Sequence, residues 1–277
     1  MPELQKLKKL LRSKASPAKA KIFERFFKTA PGQYGHGDVF LGLTVPTQRQ
    51  IAKRFYHLSL ADIQKLLLSK IHEERFTALV ILVHQFTHAP VPLSRHSGMP
   101  LAAAPEGDHW GVGATQKQIF NFYLKNSKRI NNWDLVDTSA PQIVGEYLRP
   151  LSPLRGEMER GVLVQLAHSK NLWERRIAIL ATFTFIRHNE FNQTLHLAKL
   201  LLNDKHDLIH KAAGWMLREV GKKSEPTLKK FLGQHAHEMP RTMLRYAIEK
   251  LSPNERQKFL IAKQRSLARR RRASSSP

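Results

Sequence analysis

The segment Leu208-Ile209-His210-Lys211-Ala212-Ala213-Gly214-Trp215-Met216-Leu217-Arg218-Glu219-Val220 indicates the fold, because its apolar residues recur at helical spacing. A shorter leucine-rich segment, residues 195–202, precedes it across a polar turn. We interpret the two segments as a pair of helices. Similar pairs occur at residues 60–68 with 76–86, 162–167 with 173–186, and 227–232 with 242–251. Since no segment alternates convincingly between apolar and polar residues, we predict an all-α chain.

The longer helices of these pairs begin in a similar way, each with a basic or histidine residue. Their openings are Arg75-Phe76-Thr77-Ala78, Arg175-Arg176-Ile177-Ala178, His210-Lys211-Ala212-Ala213 and Arg241-Thr242-Met243-Leu244. The last three recur at intervals near the period of two-helix solenoids. We therefore predict a curved solenoid of HEAT-like antiparallel helix pairs with a concave basic face. Alternatively, these basic residues cap neighbouring turns or form surface ion pairs.

The length of 277 residues and the 42% hydrophobic content allow one large domain or two small ones. We predict a single HEAT-like repeat domain over residues 1–262. Prolines and glycines interrupt it at about 88–116 and 149–161, where we expect inserted loops. The run Arg269-Arg270-Arg271-Arg272 places a basic, disordered tail at residues 263–277.

The charge of the chain favours an anionic partner. Lys and Arg total 46 against 22 Asp and Glu, for a formal net charge of +24, which is typical of contact with nucleic acid or another anionic surface.

The longest apolar run, residues 177–186, has about half the length of a membrane-spanning helix. The first twelve residues interleave lysine with leucine, which predicts an amphipathic helix rather than a signal peptide. The absence of cysteine excludes disulfides and thiolate zinc sites, and we expect a cytoplasmic location.

The candidate chemistry lies in Asn131-Asn132-Trp133-Asp134-Leu135-Val136-Asp137-Thr138-Ser139-Ala140-Pro141. Trp133 and Asp137 are four residues apart and would project from one face of a helix. A carboxylate beside an indole suits a ligand that is cationic or becomes cationic while reacting. An alternative is that Asp137 or Ser139 is simply a helix N-cap.

Two other segments, around Trp215 and around His206, carry weaker indications of function. Gly214 costs helix stability, which suggests close packing beside Trp215, whereas Trp173 has the spacing of a core residue. His206 and His210 have the i, i+4 spacing of a zinc site, but Asp207 stands where the metalloprotease pattern has glutamate. Because no third ligand is evident and Asp207 is suited to capping a helix, we expect no metal.

Several motifs in one order resemble the AlkD-like DNA alkylation repair glycosylases, from about residue 20 to residue 250. They are residues 40–46 (FLGLTVP), 72–79 (HEERFTAL), 131–137 (NNWDLVD), 172–180 (LWERRIAIL) and 211–219 (KAAGWMLRE). The resemblance implies HEAT-like repeats around duplex DNA and removal of cationic bases such as 3-methyladenine and 7-methylguanine. It implies no metal or organic cofactor, and a base that stays facing solvent.

The resemblance also assigns roles to residues. Asp137 would be the catalytic carboxylate, Trp133 and Trp215 would flank the deoxyribose of the lesion, and Arg176 would lie near the DNA backbone. Thr44 stands where the family has a glutamine, which bears on lesion preference or rate. We expect the basic residues at the helix openings to contact DNA as well. They are Arg75, Arg175, Lys211 and Arg241.

These observations leave three functions open. The first is a monofunctional, monomeric glycosylase that acts on alkylated bases in double-stranded DNA in the bacterial cytoplasm. The second is a non-catalytic DNA-binding scaffold of the same helical type. The third is a protein-binding solenoid whose basic charge serves an acidic partner. The joint presence of Trp133, Asp137, Arg176 and Trp215 favours the first.

Overall fold

A computed structural model describes residues 1–89, 114–149 and 161–261, and these residues are organised in helices without a β-strand. Val39 and Ile71 form an isolated parallel bridge within them. The all-α prediction is therefore confirmed. Contacts divide the chain into two compact units, Met1–Tyr147 (unit 1) and Leu148–Pro277 (unit 2), which are described separately.

Unit 1 is built from short helices around the long helix α5. The helices are α1 (Glu3–Ser13), α2 (Pro17–Phe26), α3 (Val45–Lys53), α4 (Leu60–Leu67), α5 (His72–His88), α6 (Gln116–Lys125) and α7 (Trp133–Ala140). A π-helical turn (Pro141–Gly145) and the short α8 (Glu146–Leu148) follow α7. Helix α5 packs against α3, α4 and α7, so it forms the centre of the unit.

The first helices show how the apolar pattern works and where it fails. Helix α1 buries Leu4, Leu7 and Leu11 on one face, which confirms the amphipathic prediction. Helix α5 begins at His72, three residues before the predicted opening at Arg75. The residues of its first turn are charged, so apolar spacing does not reveal that they belong to the helix. These residues are nevertheless buried. Glu74, for example, is 1% exposed and forms ion pairs with Lys8 and Arg12.

Unit 2 continues the paired arrangement. Its helices are α9 (described over residues 161–167), α10 (Leu172–Arg187), α11 (Asn192–Leu200), α12 (Asp207–Lys223), α13 (Glu225–His235), α14 (Arg241–Ala247) and α15 (residues 253–261). Helix α10 packs on α11 and α12, and α12 packs on α13 and α14. The predicted pair of residues 195–202 with 208–220 is therefore present as α11 and α12, whereas α13 and α14 both pack on α12.

Packing in unit 2 confirms two predictions about single residues. A Cβ atom on Gly214 would lie 2.5 Å from the Met243 carbonyl oxygen and 2.6 Å from the Tyr246 Cβ. Helix α12 thus needs glycine at this position to approach α14. Trp173 is 7% exposed and belongs to the core.

The predicted loops and tail are mostly outside the described residues, which leave out 90–113, 150–160 and 262–277. Among the described helices, none combines the length and the apolar character that crossing a bilayer requires.

Candidate active site in unit 1

Helix α7 carries the Trp133–Asp137 pair, and Asn132 starts this helix. The Asn132 side chain accepts a hydrogen bond from the Trp133 backbone N–H at 2.8 Å, so Asn132 is the N-cap. The suggestion that Asp137 or Ser139 caps the helix is therefore wrong. Asp137 lies one turn inside α7, where its side chain lines the same cavity as Trp133.

Buried hydrogen bonds of Ser139 fix the second half of α7 within unit 1. Ser139 is fully buried, and its hydroxyl donates to the Leu135 carbonyl oxygen at 2.6 Å and is 2.9 Å from the Tyr123 hydroxyl. Burial raises the pKa of Tyr123, so this phenol stays protonated. The π-helical turn that follows is an irregularity found frequently near functional sites.

A cavity of about 360 Å³ lies beside α7, and all its lining residues belong to unit 1. Most of the lining is aromatic or aliphatic, with a few charged and polar side chains. The apolar residues are Phe23, Phe26, Phe27, Phe40, Leu43, Val45, Phe76 and Trp133, and the polar ones are Gln48, His72, Glu73, Asp134, Asp137 and Thr138. A largely apolar pocket with few polar groups is typical of a ligand site.

Parallel aromatic rings fix the position of Trp133. Its indole stacks on Phe27 at a centroid distance of 5.3 Å and an interplanar angle of 21°. Phe27 in turn stacks on Phe40 at 5.1 Å, and Phe40 stacks on His72 at 4.6 Å. Phe26 meets the indole edge-on at 5.7 Å. The Trp133 ring is therefore one end of a continuous stack that leads to the buried histidine.

His72 joins the loop before α3 to the first turn of α7. Its Nδ1 lies 3.2 Å from Asp38 Oδ2 and its Nε2 lies 2.8 Å from Asp134 Oδ2. Burial opposes a charge on this ring, but the two carboxylates overcome that effect and raise the pKa of His72 to about 9. His72 is therefore an imidazolium at neutral pH, which donates one hydrogen bond to each carboxylate.

Asp38 collects three donors from different parts of unit 1. Arg75 donates to its Oδ1 at 2.6 Å, and the Asn132 amide donates to its Oδ2 at 3.2 Å, beside the bond from His72. Burial alone would raise the pKa of Asp38, but His72 and Arg75 hold it below its usual value. The carboxylate is thus charged and links α5 to the N-cap of α7.

Glu73 fixes the loop that forms another part of the cavity. Its carboxylate accepts backbone N–H bonds from Leu41, Gly42 and Leu43 at 2.9, 2.8 and 3.2 Å. Gly42 has φ +84°, and a Cβ there would lie 2.2 Å from the Ser16 carbonyl oxygen, so glycine is required. Thr44 follows as the N-cap residue of α3 and hydrogen-bonds Thr47 at 2.9 Å. Its neighbours Leu43 and Val45, rather than Thr44 itself, line the cavity.

Two of the basic residues predicted to contact DNA point to backbone carbonyls instead. Arg75 is 3% exposed and donates to the Ser69 carbonyl oxygen, six residues earlier. Arg175 likewise donates to the Ser169 carbonyl oxygen, and its Nε lies 2.6 Å from Asp204 Oδ2. Both follow the alternative interpretation, in which these residues cap turns and form ion pairs. Because Arg75 is enclosed in unit 1, its guanidinium is not positioned to contact DNA.

The other predicted residues lie in unit 2. Trp215 is half-buried on α12, outside the core, and its Nε1 donates to Glu219 Oε1 at 3.0 Å. Arg176 is 5% exposed and donates to the Leu208 carbonyl oxygen at 2.7 Å. Lys211 is 2.8 Å from Asp207 in a partly exposed ion pair, and Arg241 is exposed at the start of α14.

The histidine pair of unit 2 has a structural role. The Nδ1 of His206 accepts from the Leu208 backbone N–H, so His206 is the N-cap of α12 and not Asp207 as predicted. The Nε2 of His210 is 2.6 Å from the Asp204 carbonyl oxygen. Over the residues that the structure describes, no three or more His, Asp or Glu side chains are grouped as a metal site would require.

Comparison with known proteins places the chain in a family. Residues 7–251 match the model of the DNA alkylation repair enzymes, and the chain therefore belongs to this family. No curated protein matches it. Among solved structures, a predicted DNA alkylation repair enzyme from Enterococcus faecalis is similar with a TM-score of 0.63 and 14% identity, covering 86% of this chain and 97% of that one. At this identity the likeness concerns the fold. The family supports a role in DNA alkylation repair and confirms the resemblance found in the motifs.

Proposed function

We propose that this protein is a monofunctional DNA glycosylase that excises cationic alkylated bases, such as 3-methyladenine and 7-methylguanine, from double-stranded DNA. The observation that carries this proposal is that Asp137 and Trp133 line one aromatic cavity. A carboxylate in apolar surroundings is suited to stabilise positive charge that develops during a reaction. The family supports the wider role in alkylation repair.

The chemistry follows from the charge of the lesion. An alkylated ring nitrogen makes the base cationic, so the base leaves as a neutral molecule and needs no strong general acid. As the glycosidic bond breaks, its electron pair goes to the base and positive charge develops on the sugar. Asp137 would stabilise this sugar cation and orient a water molecule. Addition of that water at C1′ gives an abasic site and releases one proton.

Trp133 and the phenylalanines would strengthen this effect. An indole face attracts a nearby cation by about 0.5–2 kcal/mol. Apolar walls also lower the local dielectric, which increases the attraction between the Asp137 carboxylate and the sugar cation. The stack of rings from Trp133 through Phe27 and Phe40 to His72 fixes the orientation of the indole. The site would therefore be rigid before the substrate binds, which is how enzymes avoid reorganisation during the reaction.

The DNA contacts are proposed from charge and from the family resemblance. A net charge of +24 favours a polyanion, and binding should weaken steeply with salt. In unit 2, Trp215 would act beside the lesion, and Lys211 and Arg241, whose side chains are partly or fully exposed, would hold the backbone. Arg175 and Arg176, which donate to backbone carbonyls, would add positive charge rather than direct contacts. In unit 1, Thr44 would affect lesion preference through its position beside the cavity. We propose a cytoplasmic monomer that uses no metal or organic cofactor.

The test is release of 7-methylguanine from duplex DNA, compared between the wild type and Asp137→Asn. The substitution removes the charge at nearly constant volume, and loss of one electrostatic contact of this kind lowers rates by roughly 100- to 1,000-fold. Asp62→Asn is the matched control, since this carboxylate forms an exposed ion pair with Lys65 on α4. If the wild type binds the DNA and releases no base, the proposed glycosylase function is wrong and the protein is a non-catalytic DNA-binding scaffold.

A further inference from the structure

Trp215 on α12 has a carboxylate partner that the proposed mechanism does not use. Its indole Nε1 donates a hydrogen bond to Glu219 Oε1 at 3.0 Å, one helical turn further along. The Glu219 side chain is only 13% exposed, whereas most glutamates lie at the surface unless they are paired. The structure therefore encloses this carboxylate at the N–H edge of the indole.

Two cations hold Glu219 in place. Lys222 Nζ lies 2.8 Å from its Oε1 and 2.9 Å from its Oε2. The Arg218 guanidinium lies 3.5 Å from Oε1 and also forms an ion pair with Glu249, which follows α14. The carboxylate is therefore anchored by α12 itself and, through Arg218, by the segment after α14.

A second contact of the indole comes from α10. The Phe183 ring lies 6.2 Å from the Trp215 ring, measured between centroids, at an interplanar angle of 41°. Such a contact restricts the indole without selecting which edge points in which direction, because aromatic pairs tolerate several arrangements. The hydrogen bond to Glu219 selects one arrangement, since an indole donates only through its Nε1–H.

The charges around the indole decide what Glu219 contributes. Its negative charge is compensated by Arg218 and Lys222, so it adds little negative field at the ring. Orientation is the remaining effect. A cation is attracted to an aromatic ring when it lies over the ring face, so the attraction depends on where that face points.

We propose that Glu219 is the positioning residue of Trp215, and that its bond to Nε1 turns the indole face towards the sugar cation that forms during base release. This inference rests on the proposed function. Glu219 touches neither DNA nor the reacting atoms and acts only through Trp215. Replacing it should therefore matter only while residue 215 has an indole N–H to orient.

Binding of two DNA duplexes by the full chain tests this inference. One duplex carries a pyrrolidine in place of the lesion nucleoside, and its protonated ring nitrogen mimics the sugar cation. The other carries neutral tetrahydrofuran. Fluorescence anisotropy at pH 7 should show that the wild type prefers the pyrrolidine duplex by about tenfold or more, because transition-state mimics bind tightly. Glu219→Leu should reduce this preference roughly threefold or more. Glu219→Gln keeps an acceptor oxygen and should stay within about twofold of the wild type.

Residue 215 supplies the matched background. Trp215→Phe removes the N–H, so adding Glu219→Leu to it should change the preference by less than about twofold. Glu225→Leu is the control, since it removes an exposed carboxylate that pairs with Lys229 on α13. A proton–nitrogen NMR spectrum reports the contact directly. The indole N–H resonance that disappears in Trp215→Phe should shift in Glu219→Leu and stay unchanged in Glu225→Leu.

The outcomes separate this inference from the proposed function. An unshifted resonance in Glu219→Leu, or no preference for the pyrrolidine duplex in the wild type, overturns the inference even if the protein releases base from DNA. An equal loss of preference in the Trp215 and Trp215→Phe backgrounds also overturns it, because Glu219 would then stabilise the unit rather than orient the indole. A loss confined to the Trp215 background, together with the shifted resonance, supports it. If that pattern appears and no 7-methylguanine is released, only the glycosylase activity is contradicted.

Discussion

Raising the pH from 6.5 to 9 should destabilise this protein through one side chain, His72. The pKa of His72 is about 9 in the folded protein and 6.5 as the ordinary value. At roughly 1.4 kcal/mol per pKa unit, this difference corresponds to about 3 kcal/mol of unfolding free energy. Below pH 6.5 both states carry the proton and the stabilisation is complete. Between pH 6.5 and 9 the unfolded chain loses its proton first, so the unfolding free energy falls, and above pH 9 the contribution is lost.

Urea titrations followed by circular dichroism at 222 nm from pH 6 to pH 10 measure this effect. The wild type is compared with His72→Gln, and His188→Gln, an exposed residue after α10, is the control. The difference in unfolding free energy between the wild type and His72→Gln should shrink by about 3 kcal/mol between pH 6.5 and 9. The His188 variant should follow the wild type. A difference that stays constant with pH would show that His72 carries no stabilising charge between Asp38 and Asp134.

Two further substitutions test the packing and the loop beside the cavity. Gly214→Ala places a methyl group against the Met243 carbonyl oxygen, so calorimetry should show a lower melting temperature and a loss of about 1–3 kcal/mol. Gly233→Ala is its control on a helix, because nothing lies within 4 Å of the added Cβ, and it should be neutral or stabilising. Glu73→Gln leaves one acceptor oxygen for three backbone N–H groups, so urea unfolding should show a loss of about 1–3 kcal/mol. The exposed Glu24→Gln should change little, and equal stability of the Glu73 and Glu24 variants would contradict the role of Glu73.

Much of the helical architecture could be predicted because it depends on local spacing. Apolar periodicity located α10 and α12 to within a few residues at each end. The cost of glycine inside a helix pointed to the close approach at Gly214, which the structure confirms. The spacing of Trp133 and Asp137 also sufficed to place both side chains on one cavity. For the helix bounds and the Trp133–Asp137 pair, neighbours along the chain decide the result, whereas at Gly214 the sequence indicated a close approach without naming its partner on α14.

The surroundings of the site could not be predicted because they depend on distant partners. His72 meets Asp38 across 34 residues and Asp134 across 62 residues, and no pattern in the sequence signals these pairs. The first turn of α5 is charged, so no apolar pattern signals its burial, which depends on those partners. The sequence around Arg75 follows the same pattern as that of a helix that opens at the surface. The Arg75 guanidinium is nevertheless buried, because it donates to the Ser69 carbonyl oxygen and to Asp38. The only sequence signal of the aromatic cavity was the cluster of phenylalanines at residues 23–27.

The role of Asp137 in catalysis is measured by the single-turnover rate of 7-methylguanine release by Asp137→Asn at saturating protein. Under this condition DNA binding does not limit the rate, so the measurement reports the chemical step alone. The rate should be roughly 100-fold or more below that of the wild type, while the DNA affinity measured by fluorescence anisotropy should stay within about twofold. Equal rates for the two proteins would contradict it, because the Asp137 carboxylate would then contribute nothing to breaking the glycosidic bond.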